Sequence, residues 1–224
     1  MTFSLVGRCA RTGMLGLVVT SSSPAVAARC ARARASVGAV ATQNVTDPSL
    51  APQVLDLLEL GHSAAAALDE VVAKAPYAEY RQLAVVDAAG RTASYSGART
   101  LGKHSSSSGK DCVAAGNLLA SEKVTAAMVQ AFEQRPQDHL ADRLLDVLRA
   151  GALAGGEEGA VRSCGLLVVN EVSWPVTDLR VDWHDDPITA LARLWTVWRP
   201  QEAAYVQRAL DPPAAPSFGV PGEE

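Results

Sequence analysis

Apolar residues recur at every second position in some stretches of this chain and at helical spacing in others, and the two patterns come in blocks. Residues 2–8 (TFSLVGR) alternate, with Thr2 and Ser4 on one face and Phe3 and Leu5 on the other. The Arg11-Thr12-Gly13 turn leads into a partner strand at 14–21, and a third, β-branched run follows at 36–43. Helical spacing then takes over. Asp47-Pro48 opens one helix that stops at Gly61, and Ser63 caps a second in which Leu68, Val71 and Val72 face inward. Strands resume at 80–87, 91–96 and near 111–116, and helices at 121–134 and 138–153. A strand pair at 164–169 and 176–183 precedes a last helix from Asp186-Pro187, with Ile188, Leu191, Leu194, Trp195 and Trp198 on its buried side. Blocks of strands followed by blocks of helices predict a layered α+β fold rather than a parallel sheet built from alternating units.

The length of 224 residues, with 48% apolar and 20% charged residues, suits a single globular domain over 1–200. Residues 201–224 read as a proline-rich C-terminal extension. Its final stretch, 211–224, carries Pro212, Pro213, Pro216 and Pro221 and is expected to be extended. Residues 104–109 (HSSSSG) read as a flexible loop. Gly7, Gly16 and Gly38 predict close backbone approach on a crowded sheet.

A net charge of −4 and a pI near 5.6 argue against a nucleic-acid binder, and no aromatics interleave with Arg29, Arg32 and Arg34. No apolar run reaches the length of a membrane helix, and the first 20 residues lack the pattern of a secretory signal. Cys9, Cys30, Cys112 and Cys164 are scattered without a C-x-x-C pair, which fits reduced thiols. The expectation is a cytoplasmic protein with no membrane or nucleic-acid partner.

Chemistry concentrates at the start of the chain. Removal of Met1, routine before a small residue, would place the hydroxyl of Thr2 and a free α-amine on adjoining atoms. Such an amine ionises near 7.7–8.0, about right for a base working near neutrality. A threonine activated by its own amine is a recognised nucleophile. The other reading of Thr2 is a residue that suits a strand.

Several phrases carry a family likeness: TFSLVGR at 2–8, VGAVATQNVTDPSL at 37–50, LLELGHSAAAALD at 57–69, YRQLAVVDAAGRTASYSG at 80–97, AAGNLLA at 114–120 and LRVDWHDDPITAL at 179–191. Over about residues 2–198 the chain resembles the family catalogued as domain of unknown function 1028, assigned to the N-terminal-nucleophile (Ntn) hydrolase superfamily. The resemblance implies a four-layer αββα sandwich, two antiparallel sheets face to face between helical layers. It also implies amide hydrolysis by an N-terminal threonine, serine or cysteine, a role that Thr2 fills by loss of methionine alone.

Around Thr2 the candidate catalytic residues are Asn117, as an oxyanion donor or a turn cap, and Ser22. Ser21 to Ser23 end the second strand, where the hairpin register brings a hydroxyl near Thr2, or the run only satisfies the turn before Pro24. Gln43 and Asn44 orient substrate or serve local turns. Arg29 and Arg81 are the candidate carboxylate binders, with a structural ion pair as the alternative for Arg81. Asp178, Arg180, Asp182 and His184 share one strand face, read as an ion-pair ladder rather than a metal site. No metal-ligand spacing or phosphate-cradling glycine motif occurs, so no cofactor is expected.

Three functions compete at this stage. The first is an N-terminal-threonine amidohydrolase acting on a small amide, cyclic amide or peptide-like bond. The second is an inactive ligand-binding or assembly protein on the same fold. The third joins a serine of 21–23 to His184 and an acidic residue as a triad, without the G-x-S-x-G context. The Trp195/Trp198 helix and the tail suggest a homo-oligomer.

Overall fold

The computed structural model describes residues 1–217 and 219. Among the described residues ten strands and seven α-helices follow one another in chain order. They are β1 (Thr2–Arg8), β2 (Leu15–Ser21), α1 (Val26–Cys30), β3 (Ala31–Arg34), β4 (Gly38–Asn44), α2 (Leu50–Glu59), α3 (Ala64–Lys74), β5 (Arg81–Asp87) and β6 (Thr92–Ser96). Then come β7 (Ser105–Gly109), β8 (Cys112–Asn117), α4 (Lys123–Gln134), α5 (Leu140–Leu153), β9 (Ser163–Val169), β10 (Thr177–Val181), α6 (Pro187–Trp198) and α7 (Glu202–Leu210). The fold is α+β, as the blocks in the sequence predict.

All strand pairs are antiparallel. Six strands run β10-β9-β2-β1-β8-β7 in one sheet and four run β3-β4-β5-β6 in the other. The side-chain period of two sorts each central strand onto two cores. Phe3 and Leu5 of β1 point to α4 and α5, where Met128, Phe132, Leu144 and Leu148 bury them. Val6, Leu15, Leu17 and Val19 point the other way, onto Ala39, Ala41 and Ala84 of the facing sheet. The outer face of that second sheet, with Val40, Leu83 and Val85, packs under α2 and α3. Helix, sheet, sheet, helix is therefore the layer order. Small alanines in the middle let the two sheets approach closely.

Crowding explains two of the glycines. A Cβ at Gly7 would lie 2.6 Å from Phe132 Cζ, and one at Gly16 would lie 2.5 Å from the Leu167 carbonyl oxygen. Neither site has room for a methyl group without displacing its neighbour.

The structure departs from the sequence reading in several places. Residues 105–109 form an edge strand, not a loop. The hydroxyls of Ser105 and Ser107 both meet Thr125 Oγ1 at 2.9 Å, so pairing to β8 and docking on α4 override weak strand propensity. The short elements α1 and β3 are absent from the reading because five and four residues, rich in alanine and arginine, carry too little periodicity. The extension drawn from residue 201 begins later, because EAAYVQRAL lacks proline and forms α7. Tyr205 stacks on Trp198 with ring centroids 4.9 Å apart, and Glu202 reaches His139 at 3.1 Å. Within the tail expected to be extended, Pro212–Ala214 form a short 3-10 turn, and residues 218 and 220–224, with Pro221, lie outside the described residues.

The tryptophans offered for self-association have partners within their own chain. Trp195 is buried with its indole N–H on Asp142 (2.7 Å), and Trp198 is covered by Tyr205 and donates to the Val176 carbonyl. Both rings are engaged within the chain. Among the described residues, no helix is long and apolar enough to cross a membrane.

Candidate active site

Thr2 and Ser4 face the seam between the two sheets, and a polar network fills that end of an otherwise apolar seam. The Ser4 hydroxyl donates across the seam to Gln43 Oε1 (2.7 Å). Gln43 Nε2 donates to Gln82 Oε1 (2.8 Å), and Asn117 Nδ2 donates to the same oxygen (3.0 Å). Gln82 Nε2 donates to Ser96 Oγ and to the Gly116 carbonyl, each at 3.0 Å. The carbonyl can only accept, so it fixes the orientation of every amide in the chain of bonds. Gln82 must aim its nitrogen at Gly116, and Gln43 and Asn117 must then aim theirs at Gln82.

One atom is left over. Asn117 is fully buried, and its Oδ1 has no hydrogen-bond partner among the described residues. It lies directly across the β1–β8 ladder from Thr2, where paired side chains share a face. This corrects the expectation that the Asn117 side chain donates to an oxyanion, because its nitrogen is committed to Gln82 and its free atom is an acceptor.

A hydroxyl donor beside Thr2 comes from Ser21. The register that pairs Phe3 with Thr20 sets Ser21 beside Thr2, and the two hydroxyls lie 3.4 Å apart. The hydroxyls of Thr2 and Ser21 both donate to the carbonyl oxygen of Met1. Ser21 Oγ also accepts from the Ser23 N–H (3.1 Å). A peptide carbonyl is thus held between the proposed nucleophile and a neighbouring hydroxyl.

Glu157 closes the site from the segment after α5. It is only 6% exposed, its Oε2 accepts from the Ser22 N–H (3.1 Å), and its buried Oε1 has no partner among the described residues. Burial pushes its carboxyl up to about 7, against the opposing pull of the nearby amino terminus and of hydrogen bonds from Ser22. The Met1 side chain runs along the same segment: a Cβ on Gly159 would lie 3.0 Å from Met1 Cε and 3.5 Å from Sδ. Met1 therefore occupies the space in front of Thr2.

The other expected residues fall outside this cluster. Asn44 staples loops, donating to the Tyr80 carbonyl (2.6 Å) and accepting from Leu101 N–H (3.2 Å). Arg29 donates to the carbonyls of Pro24 (2.6 Å) and Ala25 (3.1 Å), closing its own turn, and Arg81 donates to the Val45 carbonyl (2.6 Å). His184 is exposed and its Nδ1 accepts from Asp186 N–H (2.9 Å), so no serine triad assembles around it. Of the strand-face ladder only Asp178 and Arg180 pair (2.7 Å), because β10 ends at Val181. Among the described residues, no group of three His, Cys, Asp or Glu side chains is arranged to hold a metal. A cleft of about 820 Å³ between α5 and α6 contains none of the site residues. Its Arg135, Arg149 and Arg199 are paired with Asp138, Asp142 and Asp146.

The chain matches the family of unknown function DUF1028 over residues 2–191. It belongs to that family. A crystal structure of a family protein from Silicibacter pomeroyi aligns with a TM-score of 0.81 and 29% identity, covering 88% of each chain. Anbu (ancestral beta-subunit) from Yersinia bercovieri aligns with a TM-score of 0.43 and 9% identity over 97% of this chain and 100% of its own. Anbu from Hyphomicrobium sp. strain MC1 gives 0.40 and 11% over the same shares. No protein of curated function matches.

In this DUF1028 protein two site residues escaped the sequence reading. Gln82 had a legible signal, an amide in an apolar strand paired in register with Gln43. Glu157 had none, since an acid between Gly156 and Glu158-Gly159 looks like any solvated loop residue.

Proposed function

We propose that this protein is an N-terminal-threonine amidohydrolase whose nucleophile is Thr2 after loss of Met1. The observation that carries the reading is the Met1 carbonyl gripped by the hydroxyls of Thr2 and Ser21, at a strand end lined by orphaned buried acceptors. The family's assignment to the N-terminal-nucleophile superfamily, implied by the sequence resemblance, supports it. Loss of Met1 frees an amine on Thr2 and empties the space that Met1 fills.

In the reaction the Thr2 oxygen bonds to the carbonyl carbon of the substrate as its proton passes to the Thr2 amine. The Ser21 hydroxyl donates to the oxygen that becomes negative, a contact of the kind worth about 3 kcal/mol in an acyl-transfer transition state. The carbon–nitrogen bond then breaks, and the Thr2 amine returns the proton to the departing nitrogen. Water cleaves the resulting ester and restores the threonine hydroxyl. Asn117 Oδ1 accepts from the Thr2 ammonium and holds it in place; Ser22 holds Glu157. The substrate is a small molecule or short peptide, the site needs no cofactor, and the protein works in the cytoplasm.

Hydrolysis across amides, lactams and dipeptides tests the reading. Thr2→Ala should abolish turnover while Thr2→Ser retains part of it. Equal activity in both variants would move the chemistry to another residue.

A further inference from the structure

Met1 is more than an obstruction, because it shows how an aminoacyl group lies in this site. Its carbonyl oxygen receives the Thr2 and Ser21 hydroxyls, and its side chain packs against Gly159. Its amine acts on the Glu157 carboxyl electrostatically without forming an ion pair with it, so Oε1 stays open to a donor. Glu157 Oε1 is a buried carboxylate oxygen with no donor among the described residues, an arrangement that is costly unless a ligand supplies one. An ammonium supplies three.

From these contacts we infer that the acyl subsite takes an α-amino acid with a free ammonium group, bound at Glu157 Oε1, so that the substrates are aminoacyl amides or peptides cut after their first residue. The inference rests on the proposed Thr2 reaction and adds no step to it. The carbonyl of the first residue is attacked by Thr2, the bond to the next nitrogen breaks, and water releases the free amino acid. Glu157 binds the ammonium and takes no proton in the cycle. The open backbone at Gly159 leaves room for an unbranched side chain the size of methionine.

The test uses full-length protein shown by intact mass to lack Met1, with methionine p-nitroanilide and N-acetylmethionine p-nitroanilide as paired substrates. The inference predicts kcat/KM at least roughly tenfold higher for the free amine, the value of one charge-assisted hydrogen bond. Glu157→Gln, close in shape, should collapse that ratio mainly through KM for the free amine. Equal rates on the two substrates in the wild type would overturn the inference with no variant involved, and would leave the Thr2 reading standing. A Glu157→Gln loss that is equal for both substrates would also overturn it, assigning the carboxylate to the Thr2 amine instead. If neither substrate, nor any amide or lactam, is cleaved by the processed protein, the Thr2 reading itself falls.

Discussion

Glu157 makes stability depend on pH in a direction opposite to that of most carboxylates. Burial raises its pKa from an ordinary 4.5 to about 7. Between those values the folded chain holds a proton that the unfolded chain has lost, so stability falls as pH rises through the window. Below about pH 4.5 both states are protonated and the group contributes nothing. Above about pH 7 both are ionised, and the folded state carries the full cost of a buried charge. At about 1.4 kcal/mol per pH unit, that cost reaches about 3 kcal/mol. Glu157→Gln removes the ionisation and keeps an oxygen for the Ser22 N–H. Urea denaturation of wild type and variant at pH 4.5 and pH 8, both in the same Met1 state, isolates the effect because the titrations of groups that do not interact with Glu157 cancel in the difference. The variant should match the wild type at pH 4.5 and exceed it by about 3 kcal/mol at pH 8. A difference that does not change with pH, or a variant less stable at pH 8, would refute the argument that this carboxylate lacks a compensating partner.

Gln82→Leu should destabilise the fold by about 3 kcal/mol or more in urea, because it strands the Gly116 carbonyl and the amide nitrogens of Gln43 and Asn117 at once. A loss under about 1 kcal/mol would mean that water reaches the seam and replaces the lost bonds. Tyr205→Ala should cost about 1 kcal/mol through its stack on Trp198, measured by thermal unfolding. An unchanged midpoint would show that α7 adds nothing to the domain.

The sequence showed the two faces of β1 plainly, because Thr2, Ser4, Phe3 and Leu5 obey a strict period of two. It showed the Ser63 cap, which accepts from Ala66 N–H at 3.2 Å, and the Asp186 start of α6. Those features are local, and local chemistry decides them. It did not show that 105–109 is a strand, since a run of serines becomes one only through β8 and Thr125. The same limit applies to the site. The placement of Ser21 beside Thr2 followed from hairpin register. The amide orientations that free Asn117 Oδ1 depend on Gln82, which approaches from the other sheet. Glu157 comes from a glycine-bounded segment more than 130 positions from Ser22, and nothing in its own neighbourhood marks it as buried.

The intact mass of the native protein, before and after exposure to an activated aminoacyl ester, tests the nucleophile most directly. The account predicts a chain without Met1 that gains one acyl group, with the gain absent in Thr2→Ala. A retained methionine, or acylation that persists in Thr2→Ala, would contradict it.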